Sequence, residues 1–271
     1  MPRSTLAGVL LTLAAAAFLV SLQPVRSSWW SSADPDGAYV GNSVNILLGN
    51  HTNYLDHPGL PTQDALALSF GARYLVERAT GRAEGREEFA NDVLLDLDAA
   101  RPIYRGWALF LFFGSALLVF ALVSRLLGHW SWGLAGAVLF VSAPSLAAIS
   151  FLLRPDNALA ALCLLVGYLA ATGWERRSAA RYTAAALLLG LAMTVKLSAV
   201  GMVVPLLLVV AWRPPETGWF RETTSTLARL ARRYALWLVP AAVAWLALCW
   251  VFNRERTPIL QTDDQRSLLV T

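Results

Sequence analysis

The residues best suited to chemistry are two acids in a polar stretch that follows the first apolar segment. Asp34 and Asp36 flank a proline, and two carboxylates this close seldom ionise alike, because one negative charge disfavours the other. One of them is suited to act as a general base, while the other binds a metal or orients the first. The alternative is an ordinary Asp-Pro-Asp-Gly turn, because each of these residue types is favoured in turns.

A histidine and two charged residues further along are also candidates. His57 precedes Pro58-Gly59 and is suited to bind a phosphate or an acceptor hydroxyl, although taken alone it is better interpreted as an ordinary loop histidine. Arg154 and Asp156 lie between two apolar segments, where charged side chains mark functional sites by default. The alternative to a functional role is that Arg154 and Asp156 form a mutual ion pair, or that their side chains only reach to the membrane interface.

Lys196 is the only lysine among 22 basic residues, and it interrupts a long apolar stretch. A compact point charge at a membrane boundary suits the phosphate of a lipid-linked substrate. The alternative is a lysine that only reaches to water and anchors a helical hairpin.

The rest of the chain predicts an all-α polytopic membrane protein. Hydrophobic residues make up 56% of the 271 residues, and the mean hydropathy is +0.51. Apolar runs approach twenty residues, which is enough to cross a hydrocarbon core of about 30 Å. The net charge of +4 does not indicate nucleic-acid binding, because the arginines concentrate in short loops between apolar runs, as they do in cytoplasmic loops.

We predict seven transmembrane helices in one membrane domain that spans 1–271, with the N-terminus inside. A cleaved signal peptide is the alternative for the first segment. The fifth and sixth segments form a hairpin that turns near Lys196. The predicted segments lie at about 6–22, 106–124, 131–153, 158–172, 183–196, 197–212 and 234–252.

The distribution of arginine predicts which loops face which side of the membrane. The loops near 125–131, 173–182 and 213–233 are arginine-rich and therefore lie inside. The long loop 23–105 and the tail 253–271 then lie outside. Asp34, Arg154 and Lys196 are expected on that outer face of the plasma (inner) membrane, and Arg177 and Arg229 on the inner face.

The long outer loop is expected to carry short surface helices. Two stretches look helical, at about 62–80 and 87–99, with a turn at 81–86 between them. In the first stretch, one apolar face comprises Leu66, Phe70, Tyr74 and Leu75. That face either lies on the membrane surface or packs onto the rest of the protein.

Together these elements resemble the GT-C superfamily of membrane glycosyltransferases, which includes the protein O-mannosyltransferases and bacterial lipid A aminoarabinose transferases. The similarity covers about Leu6–Trp212. The matching residues are Asp34 and Asp36 with Tyr39, the His57-Pro58-Gly59 element, the Arg154-Pro155-Asp156 turn, and the stretch Leu189–Lys196.

The resemblance implies transfer of a sugar from a polyprenyl-phosphate donor to an acceptor hydroxyl at the outer membrane face, with inversion. Asp34 or Asp36 would deprotonate the acceptor, and Lys196 and Arg154 would stabilise the leaving phosphate. Tyr39, His57 and Asp156 would complete the substrate site. The partners would be the lipid-linked donor and membrane lipid, with the sugar and the acceptor unidentified. The resemblance makes no cofactor certain, and it leaves open a divalent metal such as Mg²⁺ or Mn²⁺.

This sequence departs from the family pattern in two respects. Many relatives have adjacent Asp-Glu where this chain has Asp-Pro-Asp, so the choice of base between Asp34 and Asp36 stays open. Relatives usually continue with further helices, so we expect either the shared core module alone or a truncated chain.

There are two rival hypotheses for the function. One is a non-catalytic scaffold or lipid-binding relative, in which the acids are dispensable. The other is a small-solute transporter, and the lack of an internal hydropathy repeat in the sequence argues against it.

Overall fold

The computed structural model describes residues 3–22, 36–50, 60–143, 146, 154–176, 178–203, 239–240, 243–244 and 247. Within these ranges the regular elements are eight α-helices and one 3₁₀ helix, with no β-strand, which confirms the all-α prediction. The helices are α1 (Arg3–Ser21), α2 (Asp36–Leu48), α3 (Leu60–Ala79), α4 (Arg86–Leu95), α5 (Leu97–Leu126), α6 (Trp130–Ser142), α7 (Pro155–Arg176) and α8 (Ala179–Val195), followed by the 3₁₀ helix Leu197–Met202.

Three of the described helices are long and apolar enough to cross a membrane: Ser4–Ser21, Leu97–Leu126 and Pro155–Gly173. Two shorter apolar helices, Trp130–Ser142 and Thr183–Val195, accompany them. These helices agree with a membrane protein. The second arm of the predicted hairpin and the segment near 234–252 fall largely outside the described residues, so the number of seven spans stays a prediction.

Helix α5 lies at the centre of the described bundle and contacts α1, α6 and α7. Glycines permit the close approach. A Cβ atom added at Gly8 of α1 would lie 2.7 Å from the Phe120 ring. A Cβ atom at Gly133 of α6 would overlap the Phe120 carbonyl and the Ser124 side chain. Small residues at helix contacts are how membrane helices pack closely without a hydrophobic driving force.

Helices α2, α3 and α4 pack against the first half of α5 around one apolar core. Its members include Val40 and Val44 of α2, Leu66 and Phe70 of α3, and Phe89 of α4. These five side chains are at most 1% exposed. The described parts of the polar stretch between the first two apolar segments therefore pack onto the bundle, where burial of their apolar side chains stabilises them.

The apolar face predicted for α3 packs onto the protein. Leu66, Phe70 and Tyr74 are at most 5% exposed, and the Tyr74 and Phe89 ring centroids lie 5.7 Å apart. Leu75 is 65% exposed. The inclusion of Leu75 in that face was wrong, because a residue one position after Tyr74 is rotated by about 100° around the helix.

Two helix boundaries differ from the expected ones. The stretch expected at 87–99 ends as α4 at Leu95, and α5 begins at Leu97, well before the predicted start near 106. Asp96 separates the two helices and caps α5, since its carboxylate accepts a hydrogen bond from the Asp98 N–H at 3.1 Å. The predicted turn at 81–86 is confirmed through Gly85, since Arg86 already begins α4. Gly81 adopts the left-handed conformation that the turn needs, with φ of +71°.

Candidate functional site

An ion pair joins two of the residues that the sequence singled out. The Lys196 ammonium nitrogen lies 2.6 Å from an Asp156 carboxylate oxygen. The two side chains keep 37% and 50% of their surface exposed, respectively. Because an ammonium group has three N–H donors, Lys196 retains donors for a further anion while Asp156 fixes its position.

The pair forms because α7 and α8 are neighbouring helices that run in opposite directions. Pro155 opens α7, a position where its missing N–H costs nothing, and Asp156 follows in the first turn. Helix α8 ends at Val195, and Lys196 is its C-terminal cap with extended backbone. Each charge also suits its helix end, since acids favour N-termini and cations favour C-termini.

An apolar groove runs from this end of α7 and α8 along α5. Its volume is about 320 Å³, within the range of small-molecule sites, about 300–1,000 Å³. The exposed ring of Phe110 is part of the lining, so the groove is open to the surface of the bundle. The lining residues are Pro61, Thr62, Ala65, Trp107, Phe110, Leu111, Gly114, Leu118, Ala158, Ala161, Leu162, Leu165, Leu191 and Val195.

The spacing of these residues explains the shape of the groove. On α7 the lining positions follow a three- and four-residue spacing from Ala158 to Leu165, which is one helix face. Small side chains at Gly114, Ala158 and Ala161 leave the space empty. Val195 directly precedes Lys196, and Ala158 is two residues after Asp156. The ion pair is therefore close along the chain to one end of the groove, but neither charged side chain is part of the lining.

The first turn of α3 also lines the groove. Thr62 lines it, is 6% exposed, and its hydroxyl has no hydrogen-bond partner among the described residues. Helix α3 also contacts α8 directly. Thr62 therefore lines the groove with its hydroxyl oxygen buried.

Two contacts hold α3 in place against α5. The Trp107 indole N–H donates to the Ser69 hydroxyl at 2.9 Å. The Arg73 guanidinium donates to the Ala99 carbonyl at 2.7 Å and pairs with Glu77. Hydrogen bonds from a charged donor are among the stronger ones in proteins. These contacts therefore fix the position of α3, including its first turn, relative to α5.

The remaining predicted site residues are placed as follows. The Tyr39 ring is 7% exposed in the core of α2–α5. Arg154 directly precedes α7, and its carbonyl accepts the Asn157 N–H at 3.0 Å. Asp34, His57 and the Asp36 side chain lie outside what the structure describes, although Asp36 begins α2. Their roles stay predictions.

The part of the chain that the structure describes contains no group of three or more His, Cys, Asp or Glu side chains able to hold a metal ion. Asp34 and the Asp36 side chain do not belong to that part. Whether Mg²⁺ or Mn²⁺ binds beside them is therefore untested.

Sequence reasoning missed the groove and Thr62. The available signal was a run of small residues, with Gly114 on one apolar segment and Ala158 and Ala161 on another. Such residues are as common at packed helix contacts as in cavities. Only the packing of four helices shows that these positions stay open.

The sequence model of the dolichyl-phosphate-mannose-protein mannosyltransferase family matches residues 102–245, just over half of the chain. The chain belongs to this family. It is a membrane glycosyltransferase of the GT-C type, and the resemblance seen in the sequence is confirmed. No curated protein and no solved structure gives a significant match.

The matched range contains only part of the candidate site. Arg154, Asp156 and Lys196 lie inside residues 102–245, as do the groove-lining parts of α5, α7 and α8. Asp34 and His57 precede it. Family membership therefore bears on Arg154, Asp156 and Lys196 more directly than on Asp34 and Asp36.

Proposed function

We propose that the chain transfers a sugar from a polyprenyl-phosphate donor to an acceptor hydroxyl at the outer membrane face, with inversion. The observation that carries the proposal is the apolar groove whose lining includes Val195, the residue before Lys196 of the Lys196–Asp156 ion pair. A polyprenyl-phosphate sugar has the same layout, with a long apolar tail, then a phosphate, then the sugar. The family name, which specifies dolichyl-phosphate-mannose, supports this class of donor.

The proposed chemistry is a single displacement. The carboxylate of Asp34 or Asp36 takes the proton of the acceptor hydroxyl, and the oxygen attacks the anomeric carbon. The bond from that carbon to the phosphate oxygen breaks, and polyprenyl phosphate leaves with the electron pair. One displacement at the anomeric carbon inverts its configuration.

Lys196 has a defined task in this step. The donor phosphate is a diester with one negative charge, and the departing monoester gains a second. A fixed cation beside the phosphate therefore stabilises the transition state more than the bound donor, which is the condition for accelerating the reaction. Asp156, 2.6 Å from the lysine nitrogen, holds the cation in place.

Filling the groove should weaken donor binding. A Cβ atom at Gly114 meets no protein atom within 4 Å, so Gly114→Leu would place its side chain in the groove. Overpacking a filled site costs about 1–3 kcal/mol, so we expect about a tenfold loss of affinity. The measurement is equilibrium binding of radiolabelled undecaprenyl phosphate to the chain in lipid nanodiscs.

Gly106→Leu is the matched control on the same helix. A Cβ atom at Gly106 also meets nothing within 4 Å, but Gly106 does not line the groove. Its affinity should equal that of the wild-type chain. Equal affinities for Gly114→Leu and Gly106→Leu would remove the groove from donor binding.

A further inference from the structure

Trp107 is an aromatic residue of the groove wall whose position is fixed by a hydrogen bond. It lines the groove on α5, as does Ala65 on α3. The Trp107 indole N–H donates to the Ser69 hydroxyl of α3 at 2.9 Å, and that hydroxyl donates to the Ala65 carbonyl, also at 2.9 Å. Because the single hydroxyl proton points to Ala65, the lone pairs of the Ser69 oxygen are left to accept the indole N–H.

This hydrogen bond lets the indole lie against an apolar ligand. A tryptophan side chain has one polar atom, and that N–H usually finds a partner where the residue is removed from water. Ser69 supplies the partner, so the rest of the indole is apolar surface in the groove wall. Without the Ser69 hydroxyl, the N–H gains by turning toward water, and the ring then leaves its place in the wall.

Phe110 forms an aromatic pair with Trp107 in the same wall. It lies about one turn further along α5, and the two ring centroids are 5.7 Å apart with their planes at 89°. Aromatic rings prefer this edge-to-face arrangement, because the positive edge of one ring meets the negative face of the other. Phe110 is 67% exposed and also lines the groove. The bond from Trp107 to Ser69 thus fixes one ring, and that ring orients its exposed neighbour.

A pair of fixed rings suits a lipid tail with planar, unsaturated units. Each double bond of an isoprenoid is planar and does not rotate, so it can lie flat on a ring face. It also has less conformational freedom to lose on binding than a saturated bond has, and a smaller loss of freedom favours affinity. The aromatic pair therefore gives the groove a means of distinguishing an unsaturated tail from a saturated one.

We infer that Ser69 is a positioning residue for donor selectivity. By holding Trp107 in the groove wall, it makes the groove favour an unsaturated isoprenoid tail over a saturated tail of the same length. The inference rests on the proposed function, because it assumes that the groove takes the tail of the donor. The competing explanation is that the bond between Ser69 and Trp107 only joins α3 to α5.

The test compares undecaprenyl phosphate with its fully hydrogenated analogue, which keeps the phosphate and the carbon skeleton but has no double bond. Equilibrium binding of both lipids is measured for the purified chain in nanodiscs. An aromatic contact typically changes affinity by about two- to tenfold, so the wild-type chain should prefer the unsaturated lipid by that factor. Ser69→Ala and Trp107→Leu should lose most of this preference, and Ser69→Thr, which keeps the hydroxyl, should retain it.

Trp107→Phe separates positioning from a general effect on stability. Phenylalanine keeps an aromatic ring but has no N–H for Ser69 to accept, so this variant should also lower the preference, and the test stands if Ser69→Ala does not fold. Adding Ser69→Ala to Trp107→Phe should change the preference no further, whereas Ser69→Ala lowers it in the wild-type background.

Ser43→Ala is the matched control for loss of a hydroxyl. Ser43 is fully buried in α2, and its hydroxyl donates to the Tyr39 carbonyl of its own helix. Neither residue is part of the groove lining. This variant should keep the wild-type preference between the two lipids.

Three outcomes would overturn the inference alone. An unchanged preference in Ser69→Ala and Trp107→Phe would show that the hydrogen bond does not govern selectivity. Equal losses for both lipids would show that the bond only joins α3 to α5. A wild-type chain that binds the two lipids equally, and binds both less tightly after Gly114→Leu, would leave the proposed function standing without this selectivity. A wild-type chain that binds neither lipid would defeat the proposed function as well.

Discussion

Asp34→Asn or Asp36→Asn, whichever position holds the base, should lower the rate of sugar transfer by about 10²–10⁴-fold. That range is typical for loss of a positioned general base. The substitution removes the negative charge at nearly constant size, so the chain should still fold. The measurement is the initial transfer rate from a lipid-linked sugar, with thermal unfolding of each variant recorded alongside it.

Asp92→Asn is the matched control for the acid pair. Asp92 lies on the exposed side of α4, in the same stretch between the first two apolar segments. Its variant should transfer sugar at the wild-type rate. Full activity in both Asp34→Asn and Asp36→Asn would exclude the acid pair from the mechanism.

Lys196→Met should lower transfer by about 10- to 100-fold, the second largest effect we expect. A charge-assisted hydrogen bond contributes about 1.5–3 kcal/mol, which corresponds to this range. Lys196→Arg should keep part of the activity, because the charge survives while the donor geometry changes. The effect is measured as kcat and KM for the lipid-linked donor.

Asp156→Asn separates a phosphate-binding lysine from one that only anchors the hairpin. Both Lys196→Met and Asp156→Asn break the 2.6 Å ion pair. If Lys196 meets the phosphate, Asp156→Asn should lower transfer only a few-fold, since the cation remains and loses only its positioning. The anchoring explanation instead requires equal losses in the two variants, together with unchanged donor affinity in Lys196→Met.

Much of the described fold follows from hydrophobic periodicity. The predicted helix at 62–80 corresponds to α3 at 60–79, and the break at Lys196 is where α8 ends. Periodicity identifies such segments well because the buried face repeats along the helix. It does not show whether that face meets lipid or protein, which is why both alternatives were left open for the apolar face of α3.

Helix α2 was not predicted because its sequence has low intrinsic helix propensity. Gly37, Gly41 and Asn42 all disfavour a helix interior. The helix is stabilised by tertiary contacts instead, since Val40 and Val44 are fully buried in the core. Local helix propensity does not predict a helix that is stabilised by tertiary packing of this kind.

The Asp156–Lys196 ion pair also could not be predicted from residues that are close together in the sequence. Arg154 and Asp156 are neighbours along the chain, so a mutual pair was the natural alternative. The structure instead joins Asp156 to Lys196, 40 residues away. The pairing depends on α7 and α8 being antiparallel neighbours, because only then does the N-terminus of α7 lie beside the C-terminus of α8.

The most direct test of the central claim compares two donors that carry the same radiolabelled sugar. Native membranes that contain the chain, and are depleted of endogenous polyprenyl phosphate, supply the acceptor. We predict that label passes from the polyprenyl-phosphate-linked sugar to the acceptor fraction and that Lys196→Met membranes transfer far less. Transfer from the nucleotide-linked sugar alone, with none from the lipid-linked sugar, would contradict the account.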